Sequence, residues 1–300
     1  MDRPLVCIIV LNYRNHADTV ECVRSVEAVN YPNYRIIIVD NASGNDSEEV
    51  LRREFKEHVF IQTGRNRGYA AGNNAGIAYA LDAGADYVLI LNNDTRVAPD
   101  FLDKLVDYAE ADPSAGVLGP KIVKESGEID LNCARRRPSL PDYFWRVGPG
   151  RWLSPNNRWI RAHYYMDEYD FDEPRKVDVI SGSCMLIRRS LLQETGLLDE
   201  RTFLFLEEFI LHEKVRRTGY STVIVPSSTV VHKGHSSVGR KNLRAVCASL
   251  KSLNHYLRNY REFGTVAVYF ALASVAARST IDALRMLLGR GRARRQAQRE

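Results

Sequence analysis

The first hundred residues alternate between short apolar runs and segments with helical periodicity. The apolar runs are rich in Val and Ile, as in strands whose sheet is covered on both faces. They occupy residues 5–11, 35–39, 59–61 and 87–91. Between them, apolar residues recur every three positions over 17–26, acidic residues follow Ser47, and a third helix is expected over 70–81. This alternation predicts a doubly wound α/β sheet flanked by helices.

Residues 124–176 interrupt the alternation, because prolines and glycines punctuate a stretch of aromatic and charged residues. We expect a long segment with little regular structure, of the kind that often serves as a lid or binding loop. The regular pattern then resumes at 177–188, continues through a helix over 207–218 and reaches a strand at 222–225.

The main domain is expected to end at about residue 240, and residues 241–300 are expected to form a helical appendage. Within the appendage, residues 263–277 carry no charge, but this run is shorter than the roughly twenty residues that span a bilayer. Arginines crowd the end of the chain, namely Arg290, Arg292, Arg294, Arg295 and Arg299. Two interpretations stay open: a helix packed on the main domain, or an interfacial helix whose basic flank faces an anionic membrane.

Charge and cysteine usage limit the class of partner and the compartment. The net charge of +5 is modest, and apart from the arginine-rich end there is no basic stripe with interleaved aromatic residues, so nucleic-acid binding is not expected. Five widely spaced cysteines argue against a disulfide framework or a structural zinc site. The apolar run after Pro4 is too short for a secretory signal. We therefore expect a cytoplasmic protein, peripheral on the inner face of the cytoplasmic membrane if its basic end binds lipid.

Two polar segments follow predicted strands, where open α/β sheets bind ligands. Asp40 comes directly after the strand at 35–39, and its carboxylate can accept hydrogen bonds from a ribose or a base. The alternative is an ordinary cap or turn residue. Residues 64–74 form a glycine-punctuated entry into a helix, where backbone amides aided by Arg67 can face a phosphate. The alternative there is a loop whose glycines only allow tight packing.

A third polar segment, Asn92-Asn93-Asp94, ends the apolar strand at 87–91. A Mg²⁺ or Mn²⁺ ion that is bound together with nucleotide phosphates needs only one or two protein carboxylates. One Asp beside two amides meets that requirement, whereas a polar turn would explain the same residues if they stood alone.

The order of these segments resembles that of the family 2 glycosyltransferases, which have the GT-A fold. The matching segments, in chain order, are Asn12-Tyr13, Asp40-Asn41-Ala42-Ser43, Asn66-Arg67-Gly68, Asn92-Asn93-Asp94, Ser181-Gly182-Ser183, Glu207-Glu208 and Val231-His232. The resemblance covers about residues 5–240, and the joint order is much more specific than any single motif. It implies a GT-A-like doubly wound mixed sheet flanked by helices, with a nucleotide-binding half over about 1–120 and an acceptor-binding half over about 121–240.

The resemblance also implies a set of donor-binding residues. The nucleotide-sugar would be held by Asn12, Tyr13, Asp40, Asn66, Arg67, Gly68, Asn92, Asn93 and Asp94. Asp94, helped by His232, would coordinate a Mg²⁺ or Mn²⁺ cofactor that bridges the two phosphates and stabilises the leaving nucleotide. The family's metal motif usually reads Asp-x-Asp, and Asn92 here replaces its first carboxylate. His212 and His235 are interpreted as structural.

On the acceptor side, the resemblance implies binding by Ser181, Gly182 and Ser183 and catalysis by the acidic pair Glu207-Glu208. We expect Glu208, rather than Glu207, to remove the proton from the acceptor hydroxyl as it attacks the anomeric carbon. A single displacement would invert that carbon. The family's pair is usually Glu-Asp with another Asp two residues later, whereas here the pair is Glu-Glu and two apolar residues follow it.

We therefore expect an inverting glycosyltransferase that moves a sugar from a UDP- or dTDP-sugar, for example dTDP-rhamnose, to a hydroxyl of a surface-glycan or lipid-linked acceptor. A lipid-linked acceptor would agree with membrane contact through residues 263–300. One alternative is a nucleotidyltransferase that makes sugar nucleotides, although it would more naturally carry a glycine-rich basic loop after the first strand. The other is a non-catalytic nucleotide-sugar-binding protein, which would not need the acidic pair.

Overall fold

A nine-stranded mixed sheet lies at the centre of the part of the chain that a computed structural model describes, residues 3–154, 158–166, 169–234 and 243–297. The strands of this sheet and of a small two-stranded sheet are β1 (Val6–Asn12), β2 (Tyr34–Asp40), β3 (Val59–Gln62), β4 (Tyr87–Asn92), β5 (Thr95–Val97), β6 (Ala115–Val123), β7 (Ala134–Arg135), β8 (Arg175–Val177), β9 (Val179–Ile180), β10 (Cys184–Arg188) and β11 (Ser221–His232).

The central strands lie in the order β3-β2-β1-β4-β10-β6-β11-β5, and β8 pairs with β11. Strands β1 to β4 are parallel to one another, whereas β10 is antiparallel to both β4 and β6. The chain therefore forms the mixed sheet that was expected, and the prediction of an α/β fold is confirmed. Strands β7 and β9 pair separately.

Helices cover both faces of the sheet. They are α1 (His16–Glu27), α2 (Ser47–Glu54), α3 (Tyr69–Asp82), α4 (Phe101–Ala111), α5 (Leu140–Asp142), α6 (Gly150–Leu153), α7 (Arg158–Tyr165), α8 (Arg189–Thr195), α9 (Glu207–Val215), α10 (Leu243–Asn259) and α11 (Thr265–Ala297). Helix α1 begins where the Asn15 side chain accepts a hydrogen bond from the backbone amide of Asp18, which satisfies one of the free donors of its first turn.

The strands are apolar throughout because each face of the sheet is buried. In β1, Cys7 and Ile9 face the core cluster that contains Ile77 of α3, while Ile8 and its alternate neighbours face the cluster that contains Val23 of α1. Successive side chains of a strand point to opposite faces, so a strand covered on both sides has no polar alternation. This explains why the apolar runs located the strands in the sequence.

The segment 124–176 contains more regular structure than expected. It holds α5, α6, α7, a π-helical turn at Tyr143–Val147 and a 3₁₀ turn at Leu131–Cys133. The expectation of a largely irregular excursion was therefore wrong, because prolines and glycines there begin and end short helices. Pro141, for example, lies in the first turn of α5, where it needs no hydrogen-bond partner for its nitrogen.

Helices α10 and α11 pack together and against α9 in a third core cluster, which includes Tyr256 and Leu257 of α10, Val268 and Ala271 of α11, and Phe209 of α9. The predicted domain boundary near residue 240 lies outside the described residues. In the portion of the chain that the structure describes, no helix is long and apolar enough to cross a membrane.

Candidate active site

Three adjacent parallel strands bring polar side chains to one edge of the sheet. Strand β1 lies between β2 and β4, so Asn12 pairs with Asp40, and Leu11 pairs with Asn92. The chain order reverses at this point, because β2 and β3 follow on one side of β1 and β4 lies on the other. Open α/β sheets bind ligands at such a switch point, so this edge is the candidate site.

The Asp40 carboxylate is buried at this edge and is fully engaged in hydrogen bonds. One of its oxygens accepts from the Asn12 amide at 2.7 Å and from the Ser43 hydroxyl. The other accepts from the Ser43 backbone amide at 3.1 Å and from the Gln62 amide at 2.9 Å. Because its side chain is enclosed by these partners, Asp40 fixes the loop that follows β2.

Tyr13 lies beside this network with a half-buried ring. The guanidinium carbon of Arg14 is 5.2 Å from the centroid of that ring. The backbone amide of Arg14 also donates to the Ser43 hydroxyl at 2.8 Å, and its Nε donates to the Ser43 carbonyl at 3.0 Å. These contacts join the loop after β1 to the loop after β2.

The turn Asn92-Asn93-Asp94 begins at the last residue of β4 and is anchored to elements on both sides. The Asn93 amide donates to the Thr19 hydroxyl of α1 at 2.9 Å. Asp94 is 6% exposed, and its Oδ1 lies 3.1 Å from Nε2 of His232 at the end of β11. The turn therefore connects the switch point with the last strand of the sheet.

Asp94 and His232 are the groups here that a divalent cation could use. Burial lowers the pKa of His232, but the hydrogen bond and the charge of Asp94 outweigh burial, so that pKa is raised above its ordinary value. No group of three or more His, Cys, Asp or Glu side chains suited to a metal ion occurs among the described residues. The two donors fit a divalent cation whose remaining ligands are phosphate oxygens of a substrate.

Tyr69, the first residue of α3, connects two of the predicted segments. Its hydroxyl lies 3.0 Å from Oδ1 of Asn92 and 2.7 Å from the carbonyl oxygen of Gly182. Burial raises the pKa of Tyr69 well above its ordinary value, and the charges of Glu207 and Glu208 add to that rise. Sequence reasoning did not select Tyr69, although it stands in the glycine-punctuated segment, directly after Gly68.

The segment Asn66-Arg67-Gly68 lies against the loop before α9. Gly68 has a φ of +104°, and a Cβ built on it would lie 2.4 Å from the carbonyl oxygen of Phe203, so a larger residue would displace that loop. The Asn66 side chain accepts from the Gly68 amide at 2.9 Å, and Arg67 forms an ion pair with Glu200. The segment is also joined to the loop after β2, since the Asn41 amide donates to Asn66 Oδ1 at 3.2 Å and to the Gly68 carbonyl at 3.1 Å.

The acidic pair begins helix α9 and has two different environments. Glu207 is 5% exposed, and burial, followed by the charge of Glu208, raises the pKa of Glu207 to about 8. The Glu208 side chain is 18% exposed, and its Oε1 accepts a hydrogen bond from Arg135 at 2.9 Å. Glu207 is therefore predominantly protonated at neutral pH, and Glu208 is the member of the pair that reaches the surface.

The segment Ser181-Gly182-Ser183 faces this pair. A Cβ built on Gly182 would lie 3.8 Å from Oε2 of Glu208, so this loop and that carboxylate are neighbours. The hydroxyls of Ser181 and Ser183 are 2.9 Å apart. Through the hydrogen bond from Tyr69 to the Gly182 carbonyl, the loop is also joined to the switch point of the sheet.

Arg135 is a second member of the site that the sequence did not reveal. It lies on β7, within the segment 124–176, and is 8% exposed. Its guanidinium carbon is 4.6 Å from the ring centroid of Phe209, and it also approaches the Ile180 carbonyl at 3.4 Å. Because Arg135 belongs to a run of three arginines, the sequence gives no sign that it is buried against Glu208.

His212 takes no part in these contacts among the described residues. His212 is buried in α9, where burial lowers its pKa to about 4, and neither ring nitrogen has a hydrogen-bond partner in the part of the chain that the structure describes. This environment agrees with a structural residue. His235, also interpreted as structural, lies outside the described residues.

Comparisons with solved structures support the fold. A mannosyltransferase from Pyrobaculum calidifontis, solved in complex with GDP-Man and Mn²⁺, aligns with a TM-score of 0.59 and 18% identity, over 98% of this chain and 81% of that chain. The structure of GalNAc-T7 with UDP, GalNAc and Mn²⁺ aligns with a TM-score of 0.56 and 16% identity, over 90% of this chain and 54% of that chain. The predicted GT-A-like architecture is confirmed.

Comparisons of sequence identify the family. The family described as Glycosyl transferase family 2 matches residues 6–196. An N-acetylglucosaminyl-diphospho-decaprenol L-rhamnosyltransferase of Mycobacterium tuberculosis is 33% identical over 232 residues, 74% of each chain. The dTDP-rhamnosyl transferase RfbF of Shigella flexneri is 22% identical over 76% of this chain and 68% of its own length. These matches favour a glycosyltransferase over the two alternatives, a nucleotidyltransferase and a non-catalytic binding protein. The chain belongs to the family 2 glycosyltransferases.

Proposed function

We propose that the protein transfers a sugar from a UDP- or dTDP-sugar, with dTDP-rhamnose favoured, to a hydroxyl of a lipid-linked or surface-glycan acceptor, and that the anomeric carbon is inverted. The observation that supports this best is the continuous set of contacts from the switch point to the acidic pair, through Asn92, Tyr69, Gly182 and Glu208. The rhamnosyl donor is suggested by the two rhamnosyltransferases to which the chain is similar.

The donor would lie over the edge formed by β1, β2 and β4. We assign binding of its nucleotide to the loops that contain Asn12, Tyr13 and Asp40, and to the turn Asn92-Asn93-Asp94. Asp40 would act by holding its loop in place, since its carboxylate is enclosed by protein partners. The segment at 66–68 would support two loops. The Asn41 amide, which follows Asp40, donates to the Asn66 side chain at 3.2 Å and to the Gly68 carbonyl at 3.1 Å, and Gly68 packs against the loop that leads into α9.

Asp94 and His232 would hold a Mg²⁺ or Mn²⁺ ion together with the diphosphate of the donor. When bound, such an ion offsets the negative charge that develops on the departing nucleoside diphosphate. Asp94 supplies a hard oxygen ligand and His232 an imidazole nitrogen, and the two are already neighbours at 3.1 Å. Their shared position beside the switch point is what supports this role.

Glu208 would serve as the general base toward the acceptor hydroxyl. It is the more exposed member of the pair, it faces the Ser181-Gly182-Ser183 loop, and Arg135 orients its carboxylate. The acceptor oxygen would lose its proton to Glu208 as it forms the new bond to the anomeric carbon, while the bond to the nucleotide phosphate breaks. One such displacement inverts that carbon and requires no enzyme nucleophile.

A product assay tests this proposal. The protein is incubated with dTDP-rhamnose or UDP-sugars, Mn²⁺ and a polyprenyl-diphosphate-linked sugar, and the product is identified by mass spectrometry and by the anomeric configuration in its NMR spectrum. Release of nucleoside diphosphate with an inverted linkage is expected. A retained configuration would refute the single displacement, and no transfer from any of these donors would refute the donor assignment.

A further inference from the structure

Helix α11 is apolar on both its faces over its first turns. Toward the rest of the protein, Val268 and Ala271 are buried in the third core cluster. On the opposite face, Val266, Tyr269 and Phe270 are 85%, 62% and 43% exposed. A surface helix normally carries polar residues on the face that is not packed, so this outer face is not accounted for by the fold of the chain.

The apolar face continues onto the neighbouring helical turns of the segment 143–153. The ring of Phe144 stacks on Phe270 with centroids 6.3 Å apart, and it meets the ring of Trp145 edge-on at 5.1 Å. Of the eight large hydrophobic side chains that are exposed in the described part of the chain, five lie on α11 and on these turns. We call these five the apolar patch: Trp145, Leu153, Val266, Tyr269 and Phe270.

The patch is bordered by positive charge. The exposed Arg258 of α10 has its guanidinium carbon 5.9 Å from the Tyr269 ring centroid, and Lys251 on the same helix is exposed beside Tyr269. Farther along the chain, residues 278–300 contain seven arginines and only two acidic residues. An apolar, aromatic face followed by a basic helix is the arrangement that binds the interface of an anionic bilayer.

We propose that the apolar patch, bordered by Lys251 and Arg258, forms a docking surface for an anionic lipid bilayer, and that the arginine-rich sequence of 278–300 adds to its attraction for negative charge. The patch enters the interface with its aromatic side chains, and Lys251 and Arg258 at its border contact the lipid phosphates. A second copy of this chain is a poorer occupant, since a symmetric contact would bring two arginine-rich helices together. A surface of this kind would keep the enzyme where a lipid-linked acceptor is located, a role that rests on the proposed function.

The test is co-sedimentation of the full chain with vesicles of phosphatidylcholine, with and without about one third phosphatidylglycerol. We expect binding to the anionic vesicles that weakens several-fold as salt is raised beyond about 0.3 M, because the arginine contribution is screened. The triple change Val266→Ser, Tyr269→Ser and Phe270→Ser should weaken binding at least about tenfold. The matched single changes Tyr269→Ser and Tyr79→Ser compare two exposed tyrosines, and only the first should weaken binding.

The surface would be refuted if the wild-type chain ignored anionic vesicles, or if the triple variant bound them as well as wild type. It would also be refuted if light scattering showed a dimer that the triple change dissociates, with no vesicle binding. If the triple variant failed to fold, the pair of single tyrosine changes would decide the outcome in the same way.

A transfer assay with a short-chain, water-soluble acceptor separates this proposal from the proposed function. The triple variant should match wild type on the soluble acceptor and be slower on acceptor embedded in vesicles. Vesicle binding that depends on the patch, without transfer to either acceptor, would refute the proposed function and leave the surface standing. Transfer to the acceptor without vesicle binding would refute the docking surface and leave the proposed function standing.

Discussion

Replacing Glu207 by Gln should change how the stability of the protein depends on pH. The carboxyl group of Glu207 is buried, its Oε1 has no hydrogen-bond partner among the described residues, and its pKa is raised from 4.5 to about 8. Gln keeps the shape of the neutral carboxyl group but cannot ionise. The comparison therefore isolates the cost of keeping this proton in the folded state.

The sign follows from the direction of the shift. Between pH 4.5 and about 8 the folded protein retains a proton that the unfolded chain has released. Raising the pH across that window therefore stabilises the unfolded state, and the free energy of unfolding falls. Each pKa unit corresponds to about 1.4 kcal/mol, so wild type should lose about 3 kcal/mol relative to Glu207→Gln between about pH 5 and pH 8. In a chain of this size, that is a shift of roughly 5 °C in the unfolding temperature.

The measurement is thermal or urea unfolding of wild type, Glu207→Gln and Glu49→Gln at several pH values. Glu49 is an exposed carboxylate of α2, and its replacement alters no buried group. Any pH-independent effect of the Gln side chain cancels, because the quantity of interest is the change in the difference between two pH values. Parallel curves for wild type and Glu207→Gln would refute a protonated, buried Glu207.

The other predictions concern the reaction. Glu208→Gln should lower turnover by about a thousandfold with donor binding kept, and an active Glu208→Gln beside an inactive Glu207→Gln would reassign the base. Arg135→Lys keeps the charge but loses the guanidinium contacts, so kcat should fall roughly tenfold while the KM for the donor stays unchanged. A change in KM alone would argue that Arg135 does not position the base. Asp94→Asn should remove the Mn²⁺-dependent part of nucleoside diphosphate binding in calorimetry, whereas Asp82→Asn, an exposed control, should not.

Strands β1 to β4 could be predicted because their environment is uniform. Both faces of the sheet are covered, so residues such as Ile8, Ile37 and Leu89 are all buried. An unbroken apolar run is therefore the expected sequence pattern of these strands. The polar residues that end these runs must then meet at one edge, since parallel strands carry their carboxyl ends to the same side. Placing Asp40 and Asn92 near each other required only that topology.

The surroundings of Glu208 could not be predicted in the same way. Arg135 reaches Glu208 across 73 positions of sequence, and Tyr69 reaches Gly182 across 113. No periodic pattern in the sequence indicates either contact, because each depends on how the short helices of 124–176 and the loop before α9 pack on the sheet. The sequence alone does not show whether an arginine is buried or exposed to solvent, because that depends on the partner it contacts in the folded protein.

The start of α9 connects the site residues that could be predicted from the sequence with those that could not. Phe205 and Leu206 both have positive φ values, +69° and +75°, a conformation that costs roughly 1 kcal/mol or more for a residue with a Cβ. The loop that contains them is held on its other side by Gly68, which has no side chain to displace Phe203. This strained entry turns Glu207 into the core and leaves Glu208 facing Gly182. A glycine from the predicted donor motif thus helps to fix the position of the proposed base, and the two halves of the site depend on each other.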